Sequence, residues 1–369
     1  MQTEAAICWG PNSGWSVETV ELDPPKAGEM LVRMAAAGLC HTDEHLVTGD
    51  LPGYWPVIGG HEGAAIVAEV GPGVDRFKPG DHVVFGFNPT CGECPQCAQG
   101  HSSLCDNGSI LGAGTQLDGT SRHHARGQDL KALCSIGSFG RYSVVNQMSC
   151  VKVPDDIPLD VACLVSCGFT TGWGSAVYAA DIRPGEDVAV IGVGGIGAAA
   201  VQGARAAGAE RIFAIDPVQF KREVAPRFGA TRCFSSVQEA LEPIREETWG
   251  RMCNKVICAM GVGQGSMMLD IMALVAKNGR AVITNIHPAT ETQVNLSLLD
   301  LTTMQKQIVG ALFGSSNIRY DIPHLLEVYR RGYVDLDAMI TSRYKLDEIN
   351  QGYQDLRDGK NVRGVLIYE

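Results

Sequence analysis

Apolar and polar positions change rhythm along the chain, and the change divides it in two. Over residues 1 to about 90 the apolar runs are short, as in Ala64-Ala65-Ile66-Val67-Ala68-Glu69-Val70 and His82-Val83-Val84-Phe85. Turn signals punctuate them, among them Pro24-Pro25, Pro72-Gly73 and Lys78-Pro79-Gly80-Asp81. Short strands between turn clusters predict a compact antiparallel β-domain, with helical runs sparse until about residue 160. Beyond Glu186 the rhythm becomes strand and helix in alternation. Strands are predicted at Val188–Ile191, Arg211–Ile215, Lys255–Ala259, Arg280–Asn285 and Gln307–Leu312. Helices are predicted for the Ala-rich run that ends at Ala207, and over Gln219–Phe228 and Ser266–Lys277. This α/β alternation implies a doubly wound parallel sheet. Two amphipathic helices, Tyr320–Arg331 and Leu346–Asp358, and an apolar strand, Gly364–Tyr368, close the chain.

The first strand–helix–strand unit carries a glycine pattern. Gly192, Gly194 and Gly197 are spaced as G-x-G-x-x-G, directly after a buried-type strand and at the head of a helix. In that context the pattern is a dinucleotide-binding fingerprint: Gly192 for the tight turn, Gly194 for close approach to a pyrophosphate, Gly197 for helix–strand packing. The helix start, with Gly195 and Ile196 in its first turn, offers unpaired N–H groups and a positive dipole to phosphates. Asp216 stands nineteen residues after Gly197. A carboxylate there accepts both ribose hydroxyls and repels a 2′-phosphate, which favours NAD over NADP.

Composition bounds what such a protein does. A chain of 369 residues with 45% apolar and 19% charged residues has room for two domains, each with its own core. A net charge of −11 argues against nucleic acid or an anionic membrane as a partner. The chain opens without a secretory leader pattern and contains no apolar run near eighteen residues, so the expectation is a cytoplasmic protein. Thirteen cysteines in a reducing compartment suggest metal binding rather than disulfides. Cys91, Cys94, Cys97 and Cys105 form C-x2-C-x2-C-x7-C in a turn-rich loop, the makings of a closed four-thiolate zinc site. An iron–sulfur cluster is the nearest rival, although the terminal C-P of ferredoxin runs is absent. Cys40, His61 and Cys167 are scattered, and spacing alone does not join them.

What joins them is resemblance. The runs GLCHTDEH at Gly38–His45, GGHEG at Gly59–Gly63, DGTSR at Asp118–Arg122, SCGFTTG at Ser166–Gly172, GVGGIG and the stretch from Asp216 to Lys221 resemble the zinc-dependent medium-chain alcohol dehydrogenases, in order and along essentially the whole chain. Class III-type enzymes and nitrosoaniline-dependent dehydrogenases are the nearest groups. The resemblance implies a GroES-like catalytic domain over 1–168 and 313–369, with a structural-zinc lobe at about 91–105, and a Rossmann NAD-binding domain over 169–312. It implies two zinc ions per chain. Cys40, His61 and Cys167 would hold the catalytic one, Glu62 would lie beside it as a transient ligand, and Asp43 would orient His61. A homodimer or homotetramer assembled through the Rossmann domain follows from the same likeness.

The implied chemistry is hydride transfer between an alcohol and NAD, with zinc acting as a Lewis acid on the hydroxyl. Thr42 would take the hydroxyl proton, and His45, at the surface, would receive it beyond the nicotinamide ribose. His41 and Arg363 would contact the pyrophosphate, Lys221 the adenosine ribose, and Thr171 the nicotinamide. Leu51, Trp55 and Leu111 would line an apolar alcohol pocket. The remaining histidines, His123 among them, belong to no ligand motif. Three other readings compete: oxidation of a formaldehyde–thiol adduct, turnover on tightly held NAD with an external acceptor, and a redox-inactive nucleotide-binding protein. Such an inactive protein would lose catalytic ligands, and this chain keeps them all.

Overall fold

The runs predicted at Ala64–Val70 and His82–Phe85 are strands with those bounds, paired antiparallel through Ala64↔Val84 and Ile66↔His82. The pairing sets the buried Ala64 and Ala65 against the buried Val84 and Val83. The computed structural model describes residues 1–369. Two compact units emerge: 1–167, 317–331 and 336–369 form one, and 168–316 with 332–335 form the other.

In the first unit, Glu29–Gly38 is the spine of a seven-stranded sheet. It pairs with Ala64–Val70 on one side, and on the other with Tyr142–Asn146 and then Arg363–Ile367. The last strand of the chain is thus laid into a sheet built from its first third, with Val365 opposite Gly38. Five shorter strands, Gln2–Cys8, Ser16–Leu22, His123–Ala125, Gln128–Ala132 and Val57–Ile58, close into a barrel. Trp15, Met30, Met34, Phe85, Phe139 and Tyr353 fill the core, each contributing about 1.5–3 kcal/mol through apolar burial. The DGTSR run is structural here. Arg122 is fully buried and donates to Glu29 at 2.8 and 2.6 Å and to Asp118 at 2.9 Å, tying the loop to the start of the spine strand.

In the second unit, the six parallel strands lie in the order Arg232–Phe234, Arg211–Ile215, Asp187–Ile191, Cys253–Cys258, Val275–Ile283, Gln307–Gly310. Numbered along the chain this is 3-2-1-4-5-6, the doubly wound order. Asp187–Ile191 is buried throughout, as a central parallel strand covered on both faces must be. The helix Gln219–Phe228 keeps its predicted bounds.

Elsewhere the structure departs from expectation. The helix predicted over Ser266–Lys277 spans only Met268–Ala273, and Val275 already begins the next strand. Val275 pairs with Cys253, and Asn278 at φ 57° with Gly279 kinks the strand where helix had been expected. The unit boundary falls at 316/317 rather than 312/313. The turn Leu312–Ser315 packs on helix Gly168–Gly174, with Ser316 Oγ donating to the Thr170 carbonyl at 3.3 Å. No helix is long and apolar enough to cross a membrane.

His123 lies buried in the barrel, and its Nε2 has no hydrogen-bond partner. Burial pushes its pKa from 6.5 down to about 4. Between those values the unfolded chain takes up a proton that the folded chain refuses, so stability falls as pH drops from 6.5 toward 4. The loss is on the order of 3 kcal/mol at the acid end. In urea denaturation, the stability gap between wild type and His123→Gln should narrow steadily from about pH 7 to about pH 4. A gap independent of pH would show that His123 does not titrate in this range.

Candidate functional site

The first cysteine cluster is local. A short helix, Pro95–Ala98, starts at Cys94 and folds the loop so that the sulfurs of Cys91, Cys94, Cys97 and Cys105 lie within 4.8 Å of one another. Cys91 and Cys105 are 3.5 Å apart, while Cys91–Cys97 and Cys94–Cys105 are 3.9 Å. Four sulfurs around one zinc at 2.3 Å stand about 3.8 Å apart, so the spacing fits. Backbone N–H groups of Glu93 and Cys94 point at the Cys91 sulfur from 3.4 and 3.3 Å. Those donors lower the Cys91 thiol to about 6, with Cys94 foremost among them. Burial pushes Cys97 the other way, up to about 12. A cluster in which some thiols ionise readily and the rest resist is one that needs a cation to hold every sulfur as thiolate. No cysteine of the chain is in a disulfide.

The second cluster is assembled from distant segments. Cys40 follows the spine strand, His61 and Glu62 precede Ala64–Val70, and Cys167 ends the first stretch of the first unit. All four are buried, with ligand atoms within 4.8 Å of one another. Asp43, wholly buried, accepts the Gly60 N–H at 2.6 Å and has its other oxygen 3.1 Å from His61 Nδ1. Both ring nitrogens of His61 are buried without a hydrogen bond of good geometry, Nδ1 beside the Asp43 carboxylate and Nε2 beyond it. Burial opposes charge on His61, yet Asp43 and then Cys40 outweigh it and raise its pKa well above 6.5. The hydrogen bond from Cys167 chiefly holds the Cys40 thiol well below its ordinary value, with His61 and Arg363 adding to it. Two sulfurs, that of Cys40 readily ionised, an imidazole and a carboxylate are a donor set that suits zinc.

Several residues stand where sequence reasoning did not put them. Arg363, expected on the pyrophosphate, is buried and pairs with Glu62. A guanidinium and a carboxylate that are both out of water must find each other. Gly38 makes room, since a Cβ there would lie 2.0 Å from the Glu62 carboxylate. His45, expected at the surface, is buried, with Asp50 3.1 Å from its Nδ1. Thr42 Oγ1 is 3.7 Å from the Cys40 sulfur, and the half-buried His41 has its ring 6.4 Å from that of His45. Phe87, absent from the sequence reading, meets His61 edge to face at 6.2 Å. Nothing in the run GFN distinguished it beforehand. Tyr54, Trp55, Phe87 and Leu111 are partly buried against the same core, and the Tyr54 hydroxyl donates to the Leu111 carbonyl at 2.8 Å.

In the second unit, Gly192 at φ +85° ends strand Asp187–Ile191, and Gly194 caps helix Gly195–Ala206. The first N–H groups of that helix, those of Gly195 and Ile196, have no acceptor within it. A Cβ on Gly197 would stand 1.7 Å from the Gly192 carbonyl oxygen. One on Gly194 would meet nothing nearer than Lys221 Nζ at 4.0 Å, so the turn presents an open backbone face with a cation beside it. Asp216 accepts from Val193 N–H at 2.7 Å and Val218 N–H at 2.9 Å, holding the turn as well as facing it. Thr171 is buried in helix Gly168–Gly174, which packs on the glycine helix through Gly172.

Comparison with known proteins adds the following. Residues 26–155 match the alcohol dehydrogenase GroES-like domain, and residues 195–330 match the zinc-binding dehydrogenase domain. Alcohol dehydrogenase B of Mycobacterium tuberculosis is 50% identical over 370 residues, spanning 100% of this chain and 99% of that one. The NDMA-dependent alcohol dehydrogenase of Amycolatopsis methanolica is 46% identical over 368 residues, again spanning 100% and 99%. Among solved structures, benzyl alcohol dehydrogenase from Acinetobacter calcoaceticus superposes with a TM-score of 0.92 at 27% identity, covering 100% of both chains.

The glycine turn separates packing from ligand approach. Gly197→Ala sets a Cβ 1.7 Å from backbone and should cost about 2–3 kcal/mol or more. Gly194→Ala meets open space and should change stability by less than about 1 kcal/mol while weakening nucleotide binding. Chemical denaturation without added nucleotide checks the first claim, and nucleotide titration of Gly194→Ala the second. Equal stability losses in the two variants would contradict this division.

Proposed function

Because the chain belongs to the zinc-dependent medium-chain alcohol dehydrogenases, oxidoreductases acting on alcohols, we propose that it transfers hydride reversibly between a primary or secondary alcohol and NAD. The observation that carries this is the buried convergence of Cys40, His61 and Cys167, whose ligand atoms lie within 4.8 Å of one another. These three would hold a catalytic zinc, with Glu62 in reserve on Arg363, and Cys91, Cys94, Cys97 and Cys105 a structural zinc. Held there, zinc would supply the Lewis acidity that makes an alcohol hydroxyl acidic near neutral pH. NAD supplies the hydride acceptor.

The chain's own residues do the rest. Asp43 keeps His61 in one tautomer, so the ligand nitrogen is always presented. Thr42, whose hydroxyl both accepts and donates, takes the substrate proton, and His45 receives it in turn. Tyr54, Trp55, Phe87 and Leu111 keep water away from the reacting carbon and favour an apolar alcohol. Gly192, Gly194, Gly195, Ile196 and Gly197 receive the pyrophosphate, helped by His41. Asp216 and Lys221 bind the adenosine ribose, and Thr171 the nicotinamide. The 46% identity to an NDMA-dependent relative favours a further reading, in which NAD stays bound through turnover and an external acceptor reoxidises it.

We also infer a homo-oligomer formed through the second unit. The end strand of its sheet, Gln307–Gly310, has a free edge, and Leu298, Leu299 and Ile308 are exposed nearby. Thirteen cysteines with no disulfide support a reducing, cytoplasmic setting.

Metal analysis of the purified protein should give two zinc ions per chain. Cys40→Ser or Cys167→Ala should lose one zinc and turnover but keep the fold, whereas Cys94→Ser should lose the other and much stability, because a closed thiolate site contributes folding energy. Iron in place of zinc, or full activity in Cys167→Ala, would refute the assignment. Nucleotide released on denaturation should be NAD when it is tightly held, and Asp216→Gly should narrow the NAD preference chiefly by weakening NAD. Equal use of NADP by wild type would overturn the reading of Asp216. Thr42→Ser should retain activity and Thr42→Val nearly abolish it, so an active Thr42→Val would move the first proton step elsewhere.

A further inference from the structure

The helix His41–Thr48 ends at Gly49, whose φ of 83° reverses the chain. The N–H groups of Gly49 and Leu51 both return to the His45 carbonyl, at 3.1 and 3.3 Å. This fold-back brings Asp50 over the imidazole it has just passed, and Asp50 Oδ2 lies 3.1 Å from His45 Nδ1. The Thr48 hydroxyl donates to the same Oδ2 at 2.8 Å and holds the carboxylate in place. The His45 side chain is 4% exposed and that of Asp50 36%, so the carboxylate meets water where the ring does not. His41, one turn earlier, faces the ring from 6.4 Å between centroids.

We propose that Asp50 is a positioning residue of the proton relay, holding His45 with its ring proton on Nδ1 so that Nε2 is the basic nitrogen. This rests on the relay role proposed above for His45. A neutral imidazole keeps its one proton on the nitrogen that has the better acceptor, and an ionised carboxylate accepts only. Asp50 stays ionised because the Thr48 hydroxyl, and after it His45, holds its pKa below the usual carboxylate value. When Nε2 takes up the relayed proton, the ring becomes an imidazolium whose Nδ1–H remains on Asp50. Its charge is met by that carboxylate and by the carbonyl end of the helix. A solvent or buffer base then removes one proton and restores the neutral ring, and no electrons move in this step. The motif is H-x-x-T-G-D, in which Gly49 supplies the turn, Thr48 the clamp and Asp50 the acceptor.

The test is kinetic and spectroscopic, on the intact holoenzyme. His45→Gln should lower kcat/KM about tenfold near neutral pH, and Asp50→Ala about fivefold, with Asp50→Glu recovering most of that loss. In the His45→Gln background, Asp50→Ala should have no further effect on kcat/KM. Nitrogen-15 spectra of the histidine rings should place the proton of neutral His45 on Nδ1 in wild type and shift it toward Nε2 in Asp50→Ala. An unmoved tautomer, or an equal loss on top of His45→Gln, would overturn the proposal and leave Asp50 as a turn cap. Unchanged activity and profile in His45→Gln would instead overturn the relay itself, and the ring spectra would still report whether Asp50 sets the tautomer.

Discussion

A carboxylate with no exposure at all holds the metal-binding end of the first unit together. Asp43 is tolerated inside the protein because donors surround it: the Gly60 N–H at 2.6 Å and His61 Nδ1 at 3.1 Å. Those two contacts lock the helix that follows Cys40 to the loop that carries His61 and Glu62. Remove the carboxylate and the buried Gly60 amide loses its acceptor, at a cost of about 1–3 kcal/mol, while His61 loses the charge beside its ring. More than stability is involved, because a carboxylate beside Nδ1 favours the tautomer that leaves the lone pair on Nε2. One buried charge therefore sets both the position and the chemistry of the ligand.

The fold was largely legible because its elements follow hydrophobic period. The central parallel strand is apolar over Val188–Ile191, and strands such as Ala64–Val70 stand out as short apolar runs between turn signals. The helix His41–Thr48 gave no such signal, since it buries Asp43, Glu44 and His45 along with Leu46 and Val47. Its polar residues are inside because they serve the site, and a periodicity reading counts them as outside. The residues that hide an element from pattern analysis are here the ones that do its work. The four-cysteine loop was legible for the opposite reason: its ligands lie within fifteen residues of one another, so spacing alone encodes geometry.

Cys40, His61 and Cys167 could be joined only by resemblance, and their surroundings only by coordinates. The Asp50–His45 contact depends on a left-handed turn at Gly49, and the burial of His45 follows from that turn rather than from residue type. Phe87 reached the site through tertiary packing, with no local mark. The same holds for Arg363, whose role in sequence was drawn by analogy with a nucleotide contact. Its register opposite the end of Glu29–Gly38 carries it to Glu62 instead.

That register has a consequence for how the site comes into being. Arg363 belongs to the last strand, yet its guanidinium neutralises Glu62, a buried carboxylate 301 residues earlier. Until the last strand is laid beside Gly38, Glu62 has no such partner, and a buried carboxylate without one is strongly disfavoured. Tyr353 works to the same end from helix Ile349–Arg357, packing against Trp15 and Phe139 and reaching the Cys40 carbonyl with its hydroxyl at 3.5 Å. The metal-binding cluster is therefore drawn from the first half of the chain but electrostatically completed by its final twenty residues. Its assembly is coupled to closure of the whole first unit, so the donor set exists only in the fully folded unit.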